Sequence, residues 1–100
     1  CLTFAVQMEG HAVRTIESVG EPARLSVLQQ ALHECHGLQC GFCTPGIVMS
    51  FEAYLRDHPD PSEAEVRAVL SGHLCRCTGY QNIVDAILLA ARRLREARAA

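Results

Sequence analysis

The sequence predicts an all-α protein, a small four-helix bundle, preceded by one short strand. Three observations lead there. Apolar residues recur at steps of three and four through most of the chain after residue 20, and helix-capping signatures stand at the heads of these segments. Two cysteine pairs, Cys40-x2-Cys43 and Cys75-x-Cys77, each fall between two such segments, so the connections between helices carry the chemistry.

In chain order, residues 1–20 have a different texture. The stretch "HAVRTIES" is rich in β-branched residues and alternates loosely, which reads as one strand needing a partner from outside the chain. Gly20, Glu21 and Pro22 mark a boundary, dividing a 1–20 segment from a helical 21–100 domain. From Ala23 to His36, Leu25, Leu28, Leu32 and Cys35 form one apolar face, with Gly37 placed as the C' residue. Thr44 and Pro45 read as N-cap and first turn of a second helix through Ile47, Val48, Phe51, Tyr54 and Leu55, stopped by His58 and Pro59. In "DPSEAEV" both Asp60 to Glu63 and Ser62 to Glu65 fit a capping box for a third, short helix carrying Val66, Val69 and Leu70, which ends at Gly72. The fourth runs from about Asn82 to Arg98, with Ile83, Ile87, Ala90, Ala91 and Leu94 on one face.

A chain of 100 residues with 49% apolar content makes a single domain or slightly less. It opens on Cys1 rather than methionine, reads as a fragment, and carries no visible secretory signal; the expected location is the cytoplasm. The longest uncharged run is broken by Gly37, Gly41, Pro45 and Gly46, so no segment is expected to span a membrane. A net charge of -2 without a basic, aromatic-studded stretch argues against nucleic acid. Arg92, Arg93, Arg95 and Arg98 read as the solvated end of the last helix.

Six cysteines with four in two tight pairs point to metal rather than to a disulfide framework. Two sets of four thiolates compete. Cys35, Cys40 and Cys43, with Cys75 following downstream, fit the C-x4-C-x2-C…C of plant-type [2Fe-2S] sites, whereas Cys40, Cys43, Cys75 and Cys77 combine C-x2-C with C-x-C. Cys35 falls on the buried face of a helix that stops at Gly37, which favours a small core residue there and the second set as ligands. Two helix-loop-helix units facing each other would then bring the pairs together, with helix N-termini pointing at an anionic cluster. A structural zinc site remains a competitor, although zinc ribbons pair C-x2-C with C-x2-C. His36 and His73 lack the cysteine partners of a Rieske site, and His11, His33 and His58 read as solvated. No hydrolytic triad, catalytic carboxylate pair or phosphate-cradling glycine loop can be argued from the sequence.

"GLQCGFCTPGIVMS" and "SGHLCRCTGYQNIVDAI" resemble the two signature segments of the iron-sulfur subunit of molybdenum hydroxylases, the family of xanthine dehydrogenase, aldehyde oxidase and aerobic carbon monoxide dehydrogenase. The resemblance covers nearly the whole chain. It implies that Cys40, Cys43, Cys75 and Cys77 carry the [2Fe-2S] cluster nearer molybdenum, and that residues 1–20 are the end of a plant-type ferredoxin-like domain. Cys1 would be an orphan ligand of that domain's distal cluster, and Gln39 and Cys77 would face the pterin. The implied partners are a molybdopterin-binding large subunit, where substrate is oxidised, and an FAD-binding medium subunit. The residues read alone leave a second function class open: a stand-alone ferredoxin-like carrier or a zinc-stabilised interaction module.

Overall fold

The computed structural model describes residues 2–99, so Cys1 lies outside the described residues. Four helices carry the fold: α1 (Val27–Glu34), α2 (Thr44–Asp57), α3 (Glu63–Leu70) and α4 (Gln81–Ala99), preceded by 3-10 turns at Ala5–Met8 and Ile16–Ser18. The all-α expectation holds, and the short strand does not form. "HAVRTIES" has no regular structure until Thr15, which is extended, and then closes into the second 3-10 turn; among the described residues the only bridge pairs Glu21 with Arg24. A lone strand has no ladder to satisfy its backbone groups, so local i to i+3 bonds such as Ser18 N–H to Thr15 O at 3.0 Å take its place.

The first helix starts later than the periodicity predicts. Glu21 and Arg24 exchange both backbone bonds across Pro22 and Ala23, at 3.1 and 2.9 Å, and this closed turn leaves Leu25 exposed. Ser26 then caps α1 in a capping box: its Oγ accepts from Gln29 N–H and Gln29 Oε1 accepts from Ser26 N–H. The same Oγ donates to Glu52 Oε1 at 2.7 Å, which ties the start of α1 to α2.

At the other end of α1 the C' residue is His36, at φ 56°, rather than Gly37. Gly37 N–H reaches Leu32 O at 2.8 Å and His36 N–H reaches His33 O at 3.4 Å, the two bonds of a Schellman motif. Gly37 is needed for a different reason, since a Cβ there would lie 2.7 Å from Leu32 Cδ2. Asn82 at the start of α4 donates to His36 O at 3.3 Å and so fixes where the chain leaves α1. Of the two possible boxes before α3, Ser62 with Glu65 is the one that forms.

The core is one cluster in which Leu28, Ala31 and Leu32 of α1 and Val66 and Leu70 of α3 meet Ile83, Val84, Ile87, Ala90 and Ala91 of α4. From α2 come Ile47, Val48, Phe51 and Leu55. Small side chains at Ala86, Ala90 and Ala91, all buried, suit the close approach of α4 to its neighbours. Val19 also joins this core, so the segment before Gly20 is anchored to the helical domain. The arginines of α4 are not simply solvated: Arg93 pairs with Glu34 of α1, and Arg95 bonds Asp60 at 3.1 Å and Pro59 O at 2.9 Å. No helix of the described residues is long and apolar enough to cross a membrane.

Candidate metal centre

Two connections meet at one end of the bundle. The α1–α2 loop supplies Cys40 and Cys43, and the α3–α4 loop supplies Cys75 and Cys77. All four, with Gln39, Gly41, Phe42, Leu74 and Arg76, line a single hollow of about 260 Å³. The sulfurs of Cys40 and Cys77, from different loops, stand 3.5 Å apart. Cys35 does not line the hollow; it forms the C-cap of α1, half-buried against the core, where burial pushes its thiol pKa up. Its placement on the apolar face is therefore as the periodicity predicts.

Each cysteine has a distinct setting. Gly41, at φ 79°, turns the first loop so that Phe42 N–H donates to Cys40 Sγ at 3.5 Å; this bond, followed by that of Cys77, pulls the Cys40 thiol below its ordinary pKa. Cys43 is the N-cap of α2, so Thr44 is the first helical residue rather than the cap. Burial, reinforced by the neighbouring Cys75, pushes the Cys43 thiol up. The hydroxyl of Thr78, 3.1 Å from Cys75 Sγ, is the largest influence pulling the Cys75 thiol down to about 7. Cys77 is exposed at the mouth.

The second loop is held by Tyr80. Gly79 and Tyr80 follow one another at φ 69° and 73°, an uncommon conformation for an aromatic residue. It brings the phenol back over the loop, where the hydroxyl accepts from Cys75 N–H at 2.9 Å and donates to His73 O at 3.1 Å. Thr78 Oγ1 accepts from Tyr80 N–H at 3.1 Å. Sequence reasoning missed Tyr80 altogether. The repeated threonine after each cysteine pair was a usable signal, but the two threonines are not equivalent: Thr44 opens α2, and Thr78 stands before the turn that precedes α4.

Gln39 bridges the loops, its Nε2 donating to Cys77 O at 3.2 Å. Around the mouth, Phe42 and Leu74 are 93% and 90% exposed, one apolar residue from each loop.

This donor set suits a two-iron cluster. Such a cluster takes two thiolates on each iron, so ligands must converge in pairs. Cys40 and Cys77, from different loops, are already close as a pair. Thr44 Oγ1, next to Cys43 in the chain, is buried with no hydrogen-bond partner.

Residues 15–88 match the family model described as a [2Fe-2S] binding domain. The chain belongs to that family. It is 56% identical over 90 residues to caffeine dehydrogenase subunit gamma of Pseudomonas sp. (strain CBB1), covering 87% of this chain and 54% of that protein. It is 52% identical to nicotine 6-hydroxylase small subunit of Paenarthrobacter nicotinovorans, covering 88% of this chain and 53% of the relative. Among solved structures, quinoline 2-oxidoreductase from Pseudomonas putida 86 superposes with a TM-score of 0.86 at 46% identity, over 96% of this chain and 60% of that one. This [2Fe-2S] binding domain thus spans about half the length of the curated relatives it matches. The relatives bear out the resemblance to the iron-sulfur subunits of molybdenum hydroxylases that the two motif segments carry.

Proposed function

We propose that Cys40, Cys43, Cys75 and Cys77 hold a [2Fe-2S] cluster in the iron-sulfur subunit of a molybdenum hydroxylase-type oxidoreductase. The observation that carries the reading is the convergence of four thiols from two inter-helix loops on one hollow, with Cys40 and Cys77 paired across the loops. On this reading Cys40 and Cys77 would hold one iron and Cys43 and Cys75 the other, which would pin both loops. When bound, the cluster supplies a one-electron relay from a molybdopterin-binding large subunit toward a second [2Fe-2S] cluster and FAD on a medium subunit.

The chain's own residues hold and shield. Tyr80 folds the second loop on itself, Gln39 ties it to the first, and Phe42 N–H steadies the Cys40 sulfur. Leu74 and Phe42 give the mouth an apolar rim, which suits burial against a partner better than a freely diffusing carrier. Gln39 and Cys77 stand at that mouth and are the residues proposed to face the pterin, the glutamine keeping its Oε1 to accept from a pterin edge while Nε2 serves Cys77.

Residues 1–20 fit the end of a preceding ferredoxin-like domain, with Cys1 a ligand of that domain's cluster. The exposed Leu2, Phe4, Val6 and Val13 support this, since such side chains need a covering surface. Thiolates committed to a cluster suit a reducing compartment, and on this reading we place the protein in the cytoplasm.

The test is iron and acid-labile sulfide analysis of the purified chain, with visible absorption, followed by affinity purification of the tagged protein. Bound iron with sulfide and a copurifying molybdopterin subunit are expected. Zinc in place of iron would turn the reading to an interaction module, and iron without any partner would turn it to a free carrier.

A further inference from the structure

Thr78 occupies a position that none of the ligand assignments uses. Its Oγ1 lies 3.1 Å from Cys75 Sγ, and the same oxygen accepts the Tyr80 N–H at 3.1 Å. A hydroxyl has one proton to give and two lone pairs to receive. One lone pair is filled by Tyr80. A Cys75 sulfur bound to iron is a thiolate with no proton, so the Thr78 hydroxyl can only be the donor in the contact between them.

The surroundings fix that direction. The Cys75 N–H is taken by the Tyr80 hydroxyl at 2.9 Å, so it is not the group that serves the sulfur. Tyr80 in turn spends its own proton on His73 O at 3.1 Å. Thr78 and Cys75 are both half-buried, so water competes poorly for this bond. The other loop offers Cys40 only the longer 3.5 Å approach of Phe42 N–H, at an exposed sulfur.

We infer that Thr78 is a positioning and tuning residue, whose hydroxyl donates a hydrogen bond to the Cys75 thiolate and raises the reduction potential of the bound cluster. The sign follows from charge. Reduction adds an electron to an already anionic cluster, the negative charge on its sulfur ligands grows, and a donor aimed at one of them stabilises the reduced form more than the oxidised one. The inference rests on the reading that Cys75 is an iron ligand.

The test compares the wild-type chain with Thr78→Val, Thr78→Ala and Thr78→Ser, each loaded with iron and sulfide. Iron content is measured first, then a redox titration is followed by the electron paramagnetic resonance of the reduced cluster. With iron content unchanged, Thr78→Val and Thr78→Ala are expected to titrate at a more negative potential and Thr78→Ser near wild type. A merely structural role would loosen the loop, admit water and move the potential upward. Equal potentials in all four proteins, an upward shift, or failure of both Thr78→Val and Thr78→Ala to fold would overturn the inference. A wild-type chain that binds no two-iron cluster would instead overturn the ligand assignment on which it stands.

Discussion

Cys35 sits five residues before Cys40, close enough in sequence to compete as a ligand, and its surroundings decide against it. It caps α1 against the core while the four lining cysteines face the hollow. Cys35→Ser is expected to keep the two irons and the visible absorption, and to lower stability in urea by about 1–3 kcal/mol for a hydroxyl in apolar surroundings. Serine at Cys40, Cys43, Cys75 or Cys77 is expected to lose the cluster or leave it unstable. Iron lost from Cys35→Ser but kept in Cys77→Ser would restore the plant-type set. Gln39 belongs to the same scale. Its Nε2 bond to Cys77 O gives it a local task, so Gln39→Ala slightly loosens the loops while leaving the domain folded with its cluster. In the assembled enzyme the same change is expected to weaken cofactor retention or slow cluster reduction by substrate, read by rapid mixing with cofactor content in parallel. Unchanged values in both would confine Gln39 to the clamp between loops.

The helices show where sequence reading reaches and where it stops. Apolar periodicity found all four, because the faces that repeat every three or four residues are the faces that pack: Ile83, Ile87, Ala90 and Ala91 are buried as expected, and Leu94 half-buried. Helix ends were harder to read, because they depend on side-chain bonds that compete over a few residues. The turn at Glu21–Arg24 delays α1 to Ser26, His36 takes the left-handed position that glycine usually fills, and Cys43 displaces Thr44 as the cap of α2. The capping box of α3 is a test of this scale. Ser62→Ala is expected to cost about 1 kcal/mol in a denaturant titration, since the Glu65 N–H loses its acceptor. Glu65 has its pKa held below the ordinary 4.5, first by the Ser62 backbone N–H. A carboxylate with a folded pKa below its unfolded one contributes stability that is present above the unfolded pKa and disappears as pH falls through the folded value. Denaturant titrations between neutral pH and the acid range should therefore show Glu65→Gln less stable than wild type near neutrality, with the gap closing in acid; a gap independent of pH would remove the charge from the account.

At the scale of the molecule, cysteine spacing identified which loops meet and which four thiols they present, but not that Cys40 pairs with Cys77 across the loops. That pairing depends on the bundle bringing the α1–α2 and α3–α4 connections to one end, and on Tyr80 folding the second loop back, which no local pattern encodes. The strand expected in residues 1–20 failed for a related reason, because strand formation needs a neighbour and the described residues offer none. Core and site are nearly separate: among the described residues the buried cluster contains no cysteine, and Cys35, Cys43 and Cys75 are the cysteines at its margin. The helices are therefore expected to survive loss of metal. Reconstituted with iron and sulfide, the chain should hold about two irons, the content of one [2Fe-2S] unit. Cys1→Ser should leave that number unchanged, because the four lining cysteines complete the ligand set. Chelation of the iron should then abolish the visible absorption while most of the far-ultraviolet helix signal remains, with faster amide exchange confined to residues near the two loops. Global unfolding on chelation would mean that the cluster, rather than the apolar contacts among α1, α2, α3 and α4, holds the bundle together. Four irons bound reproducibly to this chain would mean that Cys1 finds partners within it.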